Sequence, residues 1–118
     1  MYLKNHIPMQ LSLVDEFPEF NKVFFLDVFV ESYFDEKLKK IRLHTVDGQN
    51  LPIEMNVSCR AKIIKNFPKG TVFKIDARLV RRYNQKTPYF MALKQNKIQR
   101  AIEYFDHNLK IQREIIED

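Results

Sequence analysis

Glycine and cysteine are scarce in this chain of 118 residues, and their scarcity excludes several kinds of site. Only two glycines occur, Gly48 and Gly70, so the sequence contains neither a P-loop nor a glycine-rich dinucleotide-binding motif. Cys59 is the single cysteine, so no disulfide can form within the chain and nothing indicates an oxidising compartment. We therefore expect a cytoplasmic protein.

Long apolar runs are missing as well. Residues 1–10 include Lys4, His6 and Pro8 and lack the apolar core of a secretory signal, and no stretch approaches the length of a membrane span. Hydrophobic residues nevertheless make up 45% of the chain, which is enough for one core at this length. The composition predicts a single globular domain over residues 1–118.

Catalytic signatures are also weak. His6, His44 and His107 are far apart in the sequence and lack metal-ligand spacing, and Cys59 has no local signature of a nucleophile. Neighbouring carboxylates such as those at 35–36 fall in a turn, where solvated charge explains them. We predict no metal, no cofactor and no enzymatic activity.

What the chain does have is a basic middle between two acidic ends. Between Lys37 and Arg100 there are sixteen Lys or Arg and three acids, a net charge of +13, whereas residues 1–36 carry −5 and residues 101–118 carry −3. A positive potential concentrated in one folded segment attracts polyanions, of which nucleic acid is the commonest. The charge pattern therefore predicts a polyanionic partner.

Alternating apolar residues predict five strands. In the first, from Val23 to Phe34, an inward face of Phe24, Leu26, Val28 and Val30 is opposite an outward face of Phe25, Asp27, Phe29, Glu31 and Tyr33. The others are predicted at Lys39 to Val46, at Leu51, Ile53 and Met55, at Thr71 to Arg82, and from Tyr89 to about Lys94.

Two helices complete the predicted order. Ser58 is a plausible N-cap for a short helix that ends at Phe67-Pro68. At the C-terminus, apolar residues at helical spacing predict an amphipathic helix of about eighteen residues. Its apolar stripe is Ile98, Ile102, Phe105, Leu109 and Ile116.

The order β-β-β-α-β-β, from Val23 to about Ile98, resembles that of the OB-fold, a five-stranded barrel that commonly binds single-stranded nucleic acid. The resemblance implies a mainly β protein with a small OB-like barrel, a short helix between strands 3 and 4 and a C-terminal amphipathic helix. The expected divisions are an N-terminal extension at 1–20, a barrel at 21–98 and the helix at 99–118.

Basic residues share the outward faces of two predicted strands: Lys40, Arg42 and His44 on the second, and Lys74, Arg78 and Arg82 on the fourth. If these strands were neighbours, the two rows would form one basic stripe able to follow successive phosphates of single-stranded DNA or RNA. The other predicted nucleic-acid-binding residues are Arg81, Tyr83, Lys86, Tyr89 and Lys94, with Phe25, Phe29 and Tyr33 as further candidates for stacking on bases.

Three alternatives stay open at this stage. The basic rows could be neutralised by cross-strand pairing with Asp27, Glu31 and Asp76. The acidic ends could meet the basic middle of a neighbouring copy, which would make the protein a protein–protein interaction adaptor or a homodimer. Finally, residues 56–61, Asn-Val-Ser-Cys-Arg-Ala, are similar to the Asn/Asp-x-Ser-x-x-Gly element of PilZ domains, with Ala61 in place of the glycine. That resemblance implies a binder of cyclic dinucleotides.

Overall fold

The structure, a computed structural model, describes residues 22–81 and 87–117, with side chains through residue 114. The predicted N-terminal extension, residues 1–20, lies outside this part. The strands are β1 Phe24–Asp35, β2 Lys40–Thr45, β3 Asn56–Ser58, β4 Val72–Val80, β5 Tyr89–Leu93 and β6 Gln99–Arg100. Short 3-10 turns cover Lys62–Asn66, Gln95–Lys97 and Ile102–Tyr104, and the helix α1 covers Phe105–Glu117.

Five of these strands close into a barrel. Strand β1 pairs with β2 on one side and with β4 on the other, β2 pairs with β3, and β5 joins β3 to β4. All of these pairings are antiparallel except that of β3 with β5, which is parallel. The two-residue strand β6 adds to β4 through Phe73 and Lys74. The predicted mainly β fold with a five-stranded barrel is thus confirmed, and it is compatible with an OB-like architecture.

The core lies inside the barrel and is formed by alternate residues of the five barrel strands. Its largest fully buried side chains are Phe73, Phe90 and Leu43, contributed by β4, β5 and β2. Because these residues point inward, their neighbours at odd spacing must point outward. The alternation that buries the core therefore also sets which basic residues face solvent.

A bulge in β1 reverses the predicted faces of its first residues. Phe25 pairs with Ala77 and Val28 with Ile75, so β1 contains one more residue than β4 over this interval. Asp27 has a φ of 54° there, and its N–H donates to Asp76 Oδ1 at 3.1 Å. An extra residue shifts the alternation by one. Phe25, predicted as a stacking residue, is therefore buried at 8% exposure, whereas Phe24 is 61% exposed.

The third strand begins later than predicted. The segment around Leu51 and Ile53 forms a tight loop on Thr45, whose Oγ1 donates to the Pro52 carbonyl at 2.6 Å and accepts the Met55 N–H at 2.9 Å. A third loop bond runs from the N–H of Glu54 to the Thr45 carbonyl at 2.8 Å. Since these bonds hold the backbone in a turn, β3 starts only at residue 56.

The helix predicted between strands 3 and 4 is only a 3-10 turn, Lys62–Asn66. Ser58, predicted as its N-cap, is the last residue of β3, and Ala61 precedes the turn without a side-chain cap. The predicted stop at Phe67-Pro68 is correct, because Phe67 is already extended, with a ψ of 156°. An α-helix needs three or four turns to be stable unless packing supports it, and this segment offers five residues.

The C-terminal helix starts at Phe105, and the predicted apolar stripe is buried only in part: Ile98 is buried before the helix and Leu109 is half-buried, while the side chain of Ile116 lies outside the described residues. Ile102 and Phe105 are 77% and 59% exposed. Asn108 is buried instead: its Nδ2 donates to the Val72 carbonyl at 3.0 Å, and its Oδ1 accepts the Val72 N–H at 2.8 Å. The backbone N–H and carbonyl of Val72, at the start of β4, need hydrogen-bond partners. The amide of Asn108 supplies both, whereas an apolar side chain could supply neither.

The Asn108→Ala substitution is expected to lower the free energy of unfolding by about 2 kcal/mol, because the buried Val72 N–H loses its acceptor. Urea unfolding measures the change. Lys110→Ala, at an exposed position of the same helix, is the matched control and should change stability by less than about 0.5 kcal/mol. Equal effects of the two substitutions would mean that α1 does not depend on this bond pair.

Candidate functional site

The basic row of β2 lies on the outside of the barrel. Leu43 and Thr45 are buried on the inner face, so Lys40, Arg42 and His44 point outward. The β1–β2 register places Arg42 beside Tyr33 and His44 beside the next outward residue of β1, Glu31. This brings the three predicted binding residues of β2 together on one surface.

An aromatic pair lies directly beside this row. The ring of Tyr33 stacks on that of His44 with centroids 4.4 Å apart and an interplanar angle of 15°. His44 Nε2 is 3.0 Å from Glu31 Oε1, which holds the imidazole in place. Tyr33 is half-buried, so its ring is partly available to solvent next to Arg42. The pair is therefore a pre-positioned flat surface at the edge of the basic row.

The carboxylate of Asp35 pairs with a second cation of the β2 row. Arg42 Nη1 lies 3.4 Å from Asp35 Oδ2. The backbone N–H of Leu38, together with that of Lys37 and the Arg42 guanidinium, lowers the pKa of Asp35 below its ordinary value. Most of the hydrogen bonds of Asp35 go to the turn after β1, so this residue stabilises that turn. It also forms an ion pair with Arg42.

The basic row of β4 is separate from that of β2, which corrects the predicted single stripe. Lys74 and Arg78 do point outward, but β1 lies between β2 and β4 on one side of the barrel, and β3 and β5 lie between them on the other. Side chains on non-neighbouring strands of a closed barrel diverge because the surface curves away. The two rows therefore present to different sides of the molecule.

Acidic side chains form ion pairs with lysines on and near β4. Lys74 Nζ lies 2.9 Å from Glu103 Oε2, and this contact raises the pKa of Lys74 and lowers that of Glu103. Lys94 Nζ lies 3.4 Å from Asp76 Oδ2. Arg78 contacts the sulfur of Met91 at 3.8 Å. Pairing on this side is thus substantial, although Lys74 uses an acid of the 3-10 turn before α1 rather than a cross-strand neighbour.

The remaining predicted residues are dispersed. Tyr89 is half-buried on the outer face of β5, opposite Val80 of β4, and Arg81 is exposed just after β4. Phe29 packs on Tyr104 at 5.3 Å between centroids, so its ring supports the C-terminal segment. Arg82, Tyr83 and Lys86 lie outside the described residues.

A cavity of about 340 Å³ opens between β2, β3 and the 3-10 turn Lys62–Asn66. We call it the β2–β3 pocket. Four cations line it, Lys40, Arg42, Arg60 and Lys65, and no carboxylate is among its lining residues. Its other lining residues are Ile41, Val57, Ser58, Cys59, Ala61 and Ile64. Val57 and Ile64 are buried, so the pocket has an apolar floor beneath a cationic rim.

A larger cavity, about 400 Å³, lies on the β4 side and differs in charge. Lys74, Lys94, Lys97 and Arg100 line it, but so do Asp27 and Asp76. The two carboxylates offset half of the positive charge, and one of them is already bonded to Lys94. The β2–β3 pocket is therefore the better site for an anion.

Cys59 lines the β2–β3 pocket and is half-buried. Burial raises the pKa of its thiol above the ordinary value, which disfavours the reactive thiolate at neutral pH. Among the described side chains, no three of the His, Cys, Asp and Glu type converge in a way that would hold a metal ion.

Sequence reasoning missed Arg60 and Lys65 because they belong to no regular strand. Arg60 follows β3 directly, and Lys65 is in the 3-10 turn. The usable signal was that both belong to the segment predicted as a short helix between strands 3 and 4 in the chain. Only the turn of the chain at residues 60–64 places both residues around the same pocket as the β2 side chains.

In comparisons with known proteins, no protein-family model matches the chain, and no curated protein or solved structure matches it either. The six residues that resemble the PilZ element form β3 and the segment after it, and five of them line the β2–β3 pocket, namely Val57, Ser58, Cys59, Arg60 and Ala61. None of the helical segments in residues 22–81 and 87–117 has the length and apolar character that crossing a bilayer requires.

Proposed function

We propose that this protein is a non-enzymatic binder of single-stranded DNA or RNA that uses the outer face of β2 and β3. The observation that carries the proposal is the convergence of Lys40, Arg42, Arg60 and Lys65 around one pocket without a lining carboxylate. A phosphate backbone is the commonest polyanion that such a cluster attracts. The proposed interface is therefore smaller than the basic stripe that the sequence predicts. The β4 row does not contact the nucleic acid directly in this proposal.

The adjacent aromatic pair supports a single strand as the ligand. Unstacked bases gain roughly 1 to 3 kcal/mol each by stacking on an aromatic side chain. Tyr33 is partly exposed beside Arg42, so a strand whose phosphates meet the β2 cations would carry its bases toward this ring. Barrels of OB-like architecture bind oligonucleotides on the face of strands 2 and 3, and the cations Lys40 and Arg42 lie on strand 2.

A protein–protein interaction adaptor is the second candidate function. Ile102 and Phe105 are exposed and share a cavity of about 360 Å³ with Ile63, Phe67 and Ile98. Exposed apolar side chains grouped around a cavity are typical of protein-binding surfaces. This surface lies on the C-terminal segment rather than on β2 and β3, so substitutions separate it from the nucleic-acid interface.

Titration of a labelled single-stranded oligonucleotide at several salt concentrations tests the nucleic-acid proposal. We expect tighter binding than to a duplex of the same sequence, because the stacking gain requires bases that are already unpaired. The slope of log K against log salt should be about −2 to −3.5 for roughly three to five phosphates. Equal or tighter binding of the duplex would contradict the single-strand assignment, and a flat salt response would remove its electrostatic basis.

A further inference from the structure

We infer that the β2–β3 pocket holds a terminal phosphate group, a monoester dianion, rather than an internal phosphodiester. The inference rests on the proposed function only for the source of the phosphate, which would be the end of a bound strand. The charge, shape and rigidity of the pocket support it independently.

The charge of the pocket exceeds what one phosphodiester can neutralise. Four cations meet there, and within the described residues Arg42 is the only one of them with an ion-pair partner, Asp35. Unpaired like charges that converge on one cavity repel one another, and an anion between them removes that repulsion. A phosphodiester carries a single negative charge, whereas a phosphate monoester carries about −1.5 to −2 at neutral pH. The monoester therefore matches the pocket better.

The shape of the pocket also favours the end of a chain. Two of its lining residues, Val57 and Ile64, are buried and form its floor, whereas three of its four cations, Lys40, Arg60 and Lys65, are exposed. An internal phosphate must enter and leave with a nucleotide on each side, which an open groove allows more easily than a floored pocket. A terminal phosphate has only one covalent substituent, so the group can be surrounded on its remaining sides.

Arg60 is held in position by the barrel itself. Its backbone N–H donates to Gln95 Oε1 at 2.9 Å, and Gln95 Nε2 donates in turn to the Ala92 carbonyl at 3.0 Å. This bond ties the segment after β3 to the end of β5. Ordering the backbone of this segment in advance lowers the entropy cost of binding an anion at the pocket.

The test compares a single-stranded oligonucleotide of about ten nucleotides with and without a 5′-phosphate, and likewise with and without a 3′-phosphate. At least one phosphorylated end should bind roughly tenfold more tightly than the unmodified strand, because its dianion gains added charge-assisted hydrogen bonds. The double variant Arg60→Gln with Lys65→Gln should lose that preference. Its matched control, Lys69→Gln with Lys110→Gln, removes the same charge from exposed residues outside the pocket and should keep it.

Inorganic pyrophosphate provides a second measurement that needs no variant. Because Cys59 lines the pocket, bound pyrophosphate should slow alkylation of its thiol in the parent protein at least several-fold. If pyrophosphate protects Cys59 but no oligonucleotide binds, the pocket assignment survives, the proposed function fails, and a small phosphate monoester becomes the source to compare. If the strand binds but neither phosphorylated end gains affinity, the inference is overturned while the proposed function survives. Absence of protection by pyrophosphate overturns it as well.

Discussion

A double variant with Lys40→Gln and Arg42→Gln is expected to bind a single-stranded oligonucleotide roughly 30- to 100-fold more weakly than the parent. Both side chains point outward from β2 and line the β2–β3 pocket. Each charge-assisted bond to a phosphate is worth about one power of ten in affinity at low salt. Loss of Arg42 also leaves the Asp35 carboxylate without its ion-pair partner beside the bound strand, which adds repulsion.

The β4 row offers a control of equal charge. Lys74→Gln with Arg78→Gln removes the same two positive charges from the part of the barrel that faces elsewhere, where Lys74 is already bonded to Glu103. Here we expect a loss of only a few-fold at low salt, from the long-range potential, which disappears at high salt because exposed charges are screened beyond about 10 Å at 0.1 M. Fluorescence anisotropy measures both affinities, and thermal unfolding verifies that both variants are folded. If the β4 pair costs as much as the β2 pair, the interface spans both rows and the proposed face is wrong.

Replacement of Phe25 by alanine should lower the free energy of unfolding by about 3 to 5 kcal/mol, the usual cost of emptying a core position of an aromatic ring. Phe25 is buried and makes an edge-to-face contact with Phe90 at 5.2 Å between centroids. Its ring therefore contributes both apolar burial and a specific aromatic contact to the centre of the barrel.

The neighbouring Phe24→Ala is the matched control, because it removes the same ring from an exposed position. We expect it to change stability by less than about 0.5 kcal/mol. Simple alternation along β1 predicts the opposite ranking, with Phe24 inside and Phe25 outside. Chemical denaturation of the two variants thus tests the bulge at Asp27 directly, and a larger loss for Phe24→Ala would mean that the bulge is misplaced.

Hydrophobic periodicity predicted some of the strands correctly and others incorrectly. It located β2, β4 and β5 to within a few residues, because each has uninterrupted alternation and an inner face that the core must bury. It was wrong in β1 before Val28 and at the third strand. In both places a backbone with positive φ, at Asp27 and Glu54, breaks the regular extended geometry, and nothing in those residue types announces it.

The candidate site divides in the same way. Local alternation correctly put Lys40, Arg42 and His44 on one outer face, but it could not tell which strands are neighbours. Strand order depends on contacts between residues far apart in the chain, such as Val57 with Phe90. The segment after β3 lines the rest of the pocket, and its position depends on how the chain turns there. Arg60 and Lys65 could therefore not be assigned to the pocket from spacing alone.

The amino-acid sequence by itself determined the β-rich class of the fold, the concentration of positive charge between Lys37 and Arg100, and the outward direction of the β2 cations. These features follow from composition and from a period of two residues, which act locally. Tertiary structure alone decided which cations share a pocket and which form ion pairs with acids: Arg60 and Lys65 line the same pocket as the β2 cations, whereas Lys74 is bonded to Glu103. The physical reason is that electrostatic interaction depends on distance in space, and closure of the barrel sets those distances between residues that are remote in the chain.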